Sequence, residues 1–70
     1  MRKNLGKRER EVLLLSFLSR KDVAAVQGVT ESTINTQRMR IMIKLGADNL
    51  TEAVLIALKK GIVKLEDFQL

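Results

Sequence analysis

Residues 30–46 read TESTINTQRMRIMIKLG, and this stretch carries the signals of an amphipathic helix. Thr30 is a good N-cap, because its hydroxyl can accept a hydrogen bond from a free backbone N–H of the first turn. Gly46 suits the far end, since glycine adopts the left-handed conformation that ends many helices. The apolar residues that share one stripe at helical spacing are Ile34, Ile41 and Leu45. These signals predict a helix with one buried face.

The opposite face of this predicted helix is polar and basic. It carries Ser32, Asn35, Thr36, Met39 and Arg40. These side chains offer hydrogen-bond donors, hydrogen-bond acceptors and a positive charge, without an acidic or large apolar block. Such a face is typical of a helix that contacts base edges in the major groove of DNA. From this stretch alone, a solvated surface helix is an equal alternative.

The composition excludes most catalytic and metal-binding chemistry. The chain has 70 residues, which predicts one small domain with a thin core. It contains neither Cys nor His, so disulfides, transition-metal sites, thiol nucleophiles and the most common general base are missing. We therefore expect a protein that is not an enzyme, with no catalytic residue, no metal or other cofactor, and no small-molecule ligand.

The charge balance indicates a polyanion as partner. The formal net charge is +5 at pH 7, which fits double-stranded DNA through contacts with its phosphates. The chain has two Phe and no Trp or Tyr, so binding of single strands by aromatic stacking is disfavoured. No apolar run approaches the roughly 18 residues of a membrane span, and no signal-peptide pattern is present. We expect a cytoplasmic, nucleoid-associated protein without membrane contact.

Two further helices are predicted upstream of this stretch. The first spans residues 7–18, and the second begins at Ser19, which forms a capping box with Asp22. Gly28 then offers a positive φ for a tight turn. The predicted inward residues are Val12, Leu13, Leu15 and Ser16 in the first helix and Val23, Ala24 and Val26 in the second. A short helix, a glycine turn and an amphipathic helix in this order predict a helix-turn-helix.

A fourth helix is predicted over residues 50–60, with Asn49 as its cap. Its core stripe is predicted to be Ala53, Val54, Ala57 and Leu58. Leu55 and Ile56 point elsewhere, and a helix that is apolar on more than one side is buried on more than one side. We expect a homodimer interface made by Leu55, Ile56 and Lys59. The alternative is that the tail, residues 62–70, folds back over Leu55 and Ile56.

Five segments follow one another along the chain: REREVL at 8–13, SRKDVA at 19–24, TESTI at 30–34, KLG at 44–46, and TEAV at 51–54 with Ala57 and Gly61. Together they resemble the LuxR/FixJ-type (GerE-like) helix-turn-helix domain of bacterial transcription regulators. The resemblance implies an all-α domain of four helices, whose third helix enters the major groove and whose fourth helps to form a dimer on DNA. Many relatives also contact RNA polymerase. Most carry an N-terminal receiver or ligand-binding domain, so we interpret this sequence as either a stand-alone domain or a part of a longer protein.

The residue pattern and the resemblance together lead to a domain map and a set of expected DNA contacts. Residues 1–6 are then a basic N-terminal arm, 7–63 the helix-turn-helix domain and 64–70 a C-terminal tail. We expect the third helix, about 30–45, to turn Asn35, Thr36 and Met39 towards bases, with Ser32 nearby. The expected phosphate contacts are Thr33, Gln37, Arg38, Arg40 and Lys44, together with backbone N–H groups at the Thr30 cap.

The sequence departs from the family pattern at several positions. Asn35 stands where Lys is usual and Gln37 where His is usual, which makes the predicted DNA-binding helix less charged. Gln27 stands where Leu usually fills the core, so we expect it to find a hydrogen-bond partner or to turn outward. The connection between the first two helices is shorter than usual and lacks the usual Gly. The missing basic residues, together with the expected exposure of Leu14, Leu55 and Ile56, favour an alternative: a protein-interaction module of the same fold that antagonises or modulates another transcription regulator.

Overall fold

Four α-helices follow one another in the computed structural model, which describes residues 5–68. They are α1 (Lys7–Leu14), α2 (Arg20–Gln27), α3 (Glu31–Leu45) and α4 (Leu50–Lys59), followed by a 3₁₀ turn at Leu65–Asp67. The described residues contain no strand. The predicted all-α architecture of four helices is therefore confirmed. The basic arm predicted at residues 1–6 falls mostly outside the described residues, as does the end of the tail. None of the helices described is long and apolar enough to cross a membrane.

Side-chain caps begin three of the four helices, as the sequence predicts. The cap residues are Ser19 on α2, Thr30 on α3 and Asn49 on α4, which accept the N–H groups of Asp22, Thr33 and Glu52 at 3.2, 3.2 and 2.8 Å. Each cap of this kind stabilises its helix by about 1 kcal/mol. Gly28 ends α2 with a φ of 69°, and Gly46 ends α3 with a φ of 67°. The turn between α2 and α3 is thus built from a glycine and a cap that are both evident in the sequence.

The centre of the domain is α3, which packs against α1, α2 and α4. Its apolar stripe is buried as predicted, and no side chain of the stripe is more than slightly exposed. The buried core consists of Val12, Leu13, Val23, Ala24, Ile34, Ile41, Leu45, Ala53, Ala57 and Val63. Because α3 is held on three sides, its remaining face is presented to solvent on a rigid support.

Helix α1 is shorter than predicted, since it ends at Leu14 and not at Leu18. Leu15 already leaves helical geometry, with a ψ of 16°. The amides of Ser16 and Leu18 donate to carbonyls only three residues back, at 3.1 and 3.0 Å. The reason is the short connection: Ser19 already takes the extended conformation that caps α2, so the helix must end before it. Residues 15–18 therefore form a turn.

Two predictions about α2 have different outcomes. Val26 was predicted to point inward, but it is exposed. The inward arc of this helix consists of Val23, Ala24 and the partly buried Gln27, and Val26 lies outside that arc. Gln27 has the hydrogen-bond partner that its position requires, because its Oε1 accepts from Arg8 Nη1 at 3.1 Å.

The described part of the tail packs against the helices. Asp67 accepts a hydrogen bond from Arg10 of α1 at 2.8 Å and from the backbone N–H of Lys64 at 2.9 Å. Phe68 is partly buried and packs against the core. Leu65 lies near α4 but leaves Leu55 61% exposed.

Candidate functional site

The outer face of α3 is the principal candidate site. Ser32, Asn35, Thr36, Met39 and Arg40 are all exposed on it. Arg40 forms no ion pair with any carboxylate among residues 5–68. The face therefore combines amide and hydroxyl groups with an exposed positive charge, on a helix whose other side is packed into the core.

The start of α3 is organised by two threonines. Thr30 Oγ1 accepts the backbone N–H of Thr33 at 3.2 Å, and the two hydroxyl oxygens lie 3.1 Å apart. Thr30 is exposed, whereas Thr33 is partly buried. The other amides of the first turn have no carbonyl within the helix to bind, so this end of α3 offers backbone donors to an anion.

Arg38 and Gln37 lie away from the exposed face. Arg38 Nη2 donates to the carbonyl of Leu18 at 3.0 Å, which ties α3 to the turn between α1 and α2. Arg38 Nε and Gln37 Oε1 are buried and have no hydrogen-bond partner in the described part of the chain. Burial and the nearby charge of Arg20 lower the pKa of Arg38, although a guanidinium stays charged at neutral pH. Arg38 thus has a structural contact that the sequence did not reveal.

Lys44, in the last turn of α3, is also engaged within the domain. Its Nζ lies 2.8 Å from Glu9 Oε1, and the same carboxylate oxygen accepts the backbone N–H of Gly6 at 3.0 Å. Burial raises the pKa of Glu9, but the hydrogen bonds from Lys44 and Gly6 and the charges of Lys44 and Arg40 outweigh it and hold the pKa below its usual value. The positive charge of Lys44 is therefore largely balanced at this end of the helix.

One exposed residue of α3 was missed by sequence reasoning. Ile43 is 76% exposed, and it lies one turn beyond Met39 on the same row. The two side chains border a shallow depression that Met42, Gly46, Ala47 and Asp48 complete. The signal was present in the sequence, because Asn35, Met39 and Ile43 follow one another at intervals of four residues.

A second candidate surface lies on α4. Leu55 and Lys59 are exposed, whereas Ile56 is partly buried and packs against the core. Beside Leu55 lies an open groove of about 330 Å³, lined mainly by apolar side chains: Phe17, Leu50, Val54, Leu55, Leu58, Leu65 and Phe68. Phe17 joins this surface only through the tertiary fold, and the sequence did not predict its part in it. Leu65 belongs to the tail that the alternative interpretation placed over Leu55 and Ile56, and it lines the groove but leaves Leu55 exposed.

Residues 5–68 hold no group of three or more His, Cys, Asp or Glu side chains arranged to bind a metal ion. Three carboxylates of this region instead accept hydrogen bonds within the domain: Glu9 from Lys44, Glu52 from the backbone N–H of Asp48, and Asp67 from Arg10. The chemistry that the two surfaces offer is therefore hydrogen bonding, positive charge and apolar contact.

Comparison with known proteins identifies the family. Residues 3–57 match the model of the GerE family, "Bacterial regulatory proteins, luxR family". Two proteins of Bacillus subtilis (strain 168) are similar. The transcriptional regulatory protein YdfI is 38% identical over 63 residues, which cover 84% of this chain and 30% of YdfI. The uncharacterized transcriptional regulatory protein YxjL is 42% identical over 60 residues, covering 83% of this chain and 28% of YxjL. This chain thus spans less than a third of either relative. It belongs to the LuxR family of bacterial regulatory proteins.

Proposed function

We propose that this domain binds double-stranded DNA in a sequence-specific manner, as part of a bacterial-type transcription regulator, with α3 in the major groove. The observation that carries the proposal is the exposed face of α3, which places Asn35 and Thr36 beside Arg40, a cation that pairs with no carboxylate in the described part of the chain. Family membership and the transcriptional regulatory proteins among the relatives support it. The protein would act in the cytoplasm, at the nucleoid.

The base contacts are assigned to the exposed residues in the middle of α3. Asn35 can bind the N6 and N7 edge of an adenine with both ends of its amide. Thr36 and Met39 flank it, and Ser32 lies one turn closer to the start of the helix. We assign discrimination between sequences to these residues, because only contacts with base edges carry sequence information directly.

The phosphate contacts are assigned to the basic and polar residues around this face. Arg40 is the principal one, since it pairs with no carboxylate within residues 5–68. Lys44 attracts phosphates less strongly, because it forms an ion pair with Glu9. Arg38 uses one of the five N–H groups of its guanidinium to bind the carbonyl of Leu18, so the guanidinium retains donors for a phosphate oxygen. The remaining contacts are assigned to Gln37, Thr33 and the first-turn amides at the Thr30 cap.

Selection of bound sequences from a pool of randomised duplexes tests this proposal. We expect a defined half-site, and Asn35→Ala should relax preference at one base pair, at a cost of about 1–3 kcal/mol there. Arg40→Ala should weaken binding to all sequences alike and reduce the dependence of log K on log salt by about 0.9. If Arg40→Ala altered the selected sequence and left the salt dependence intact, the assignment of roles would be wrong.

We further propose that α4 mediates a homodimer through Leu55, Ile56 and Lys59. Support comes from the exposure of Leu55 and from the apolar groove beside it. The selected DNA would then contain two half-sites related by two-fold symmetry. Sedimentation of Leu55→Glu tests the interface, and Val26→Glu is a matched control because Val26 is an equally exposed apolar residue on α2. A parent protein that sediments as a monomer at high concentration, or equal behaviour of the two variants, would contradict the proposal.

The same groove favours a second candidate function. A domain with an apolar groove and a lightly charged α3 suits binding to another protein, such as RNA polymerase or a second regulator that it antagonises. The selection experiment separates the two functions. Enrichment of no sequence, with DNA binding only at very low salt, would favour the protein-interaction module over the DNA-binding regulator.

A further inference from the structure

The outer row of α3 changes from polar to apolar along the helix. It begins with Asn35 and continues with Met39, which is 52% exposed, and Ile43, which is 76% exposed. Ile43 is the most exposed of the large apolar side chains in the described part of the chain. One exposed apolar side chain on a surface is ordinary, but two on adjacent turns of one row form a patch. The core does not need this patch, because the buried stripe lies on the other side of α3.

Positive charge borders the patch. Arg40 follows Met39 directly in sequence, is exposed, and pairs with no carboxylate of residues 5–68. Lys44 follows Ile43 and keeps 39% of its side chain exposed while it contacts Glu9. One acidic residue, Asp48, lies at the far end of the same depression. Apolar groups beside cations fit a partner that presents apolar groups between anions.

The floor of the DNA major groove has this chemistry. Each thymine carries a C5-methyl group there, and the phosphates line both edges of the groove. We propose that Met39 and Ile43 contact thymine methyl groups and thereby select thymine at two positions of the half-site. This inference rests on the proposed function, since it requires α3 to lie in the major groove.

The spacing of the row gives the expected pattern of positions. Residues four apart on a helix are separated by about 6 Å along its axis. Base pairs rise by about 3.4 Å, so the methyl group that Met39 contacts lies roughly two base pairs from the base bound by Asn35. The methyl group that Ile43 contacts lies roughly two base pairs beyond the one that Met39 contacts. Met42 is partly buried against the core and takes no part in this selection.

Replacement of thymine by uracil tests the inference, because uracil lacks the methyl group but keeps the hydrogen-bonding edges. The selected duplex is made with single thymines replaced in turn, and its dissociation constant is measured by fluorescence anisotropy at one salt concentration. For the parent protein, uracil should weaken binding about fourfold at each of two positions, the factor expected for one buried methyl group. Met39→Ala should abolish the effect at the nearer position, and Ile43→Ala at the farther one.

A matched control and two distinct failures complete the test. Val26→Ala removes an exposed apolar side chain from α2, so it should leave both uracil effects unchanged. Circular dichroism confirms that each variant is folded. Sequence-selective binding that is insensitive to uracil, or uracil effects that survive both Met39→Ala and Ile43→Ala, would overturn this inference and leave the proposed function standing. Selection of no sequence would overturn both this inference and the proposed function. The patch formed by Met39 and Ile43 would then be a binding surface for another protein.

Discussion

Glu9 joins the start of α1 to the end of α3, and the substitution Glu9→Gln should weaken that junction. The glutamine keeps an oxygen for the N–H of Gly6 but loses the charge that faces Lys44 at 2.8 Å. The Glu9 side chain is only 12% exposed, but the Lys44 side chain is 39% exposed. Because Lys44 is in contact with solvent, water screens the attraction between the two charges. We expect a loss of about 1 kcal/mol in the free energy of unfolding, the upper end of the range for exposed ion pairs. For a domain of this size, that corresponds to a fall in Tm of about 4–8 °C.

The pH dependence of this loss has a definite sign. The pKa of Glu9 in the folded protein lies below the usual value of 4.5, because the hydrogen bonds and charges around the carboxylate outweigh its burial. The unfolded chain therefore takes up the proton first as the pH falls. The stabilisation is fully present above the pKa of the unfolded chain and is lost as the pH falls through the lower pKa of the folded state. Glutamine does not titrate, so the difference between parent and variant should shrink towards zero in acid.

Urea unfolding followed by circular dichroism, from pH 7 down to about pH 2, measures this difference. Glu11→Gln is the matched control: Glu11 lies 4.0 Å from Arg8, and both side chains are about half exposed. Its effect should stay within a few tenths of a kcal/mol. Equal destabilisation by the two substitutions at pH 7 would refute the importance of the Glu9–Lys44 contact. A deficit of Glu9→Gln that persisted unchanged in acid would refute its electrostatic origin.

Three further predictions concern α3 and the segments that contact it or lead into it. Glu9→Gln should tighten binding to DNA of any sequence, because it releases the charge of Lys44. In titrations at several salt concentrations, the dependence of log K on log salt should increase by up to about 0.9. In urea titrations, Arg38→Ala should lower the free energy of unfolding by about 1 kcal/mol, since its hydrogen bond to the α1–α2 turn is lost. Arg40→Ala should change the free energy of unfolding by less than about 0.5 kcal/mol. Gly28→Ala should lower the free energy of unfolding by about 1–2 kcal/mol in the same assay, because φ is 69° and the added Cβ meets only open space, which leaves the backbone strain as the whole cost. Gly28→Asn should lower it less, because Asn tolerates this conformation better.

The local features of the fold were accessible from the sequence because their partners are close along the chain. The caps at Ser19, Thr30 and Asn49 each bind an amide three residues ahead. Gly28 marks the tight turn by its residue type alone. The buried stripe of α3 follows from helical spacing. In each case the physical cause lies within one or two turns of helix, which is the range over which residue type and spacing determine conformation.

The contacts that long side chains make across the fold were not accessible in this way. Arg38 reaches a carbonyl 20 residues away, Lys44 a carboxylate 35 residues away, and Arg10 a carboxylate 57 residues away. The sequence placed Arg38 and Lys44 on α3, but their partners depend on how α1 packs beside it. The end of α1 was missed for a related reason: residues 15–18 contain neither Gly nor Pro, and only the geometry of the connection to α2 ends the helix there.

These long-range contacts change the electrostatic character of the proposed DNA-binding helix. Of the three basic residues on α3, Arg38 holds a carbonyl and Lys44 holds a carboxylate, which leaves Arg40 as the exposed cation without a partner in the described chain. The net charge of +5 therefore overstates the attraction that this face exerts on phosphates. Asn35, exposed on the same face, is neutral and adds no charge to it. In the proposed complex, α3 would therefore obtain more of its affinity from the bases, towards which its outer row would present an amide followed by two exposed apolar side chains.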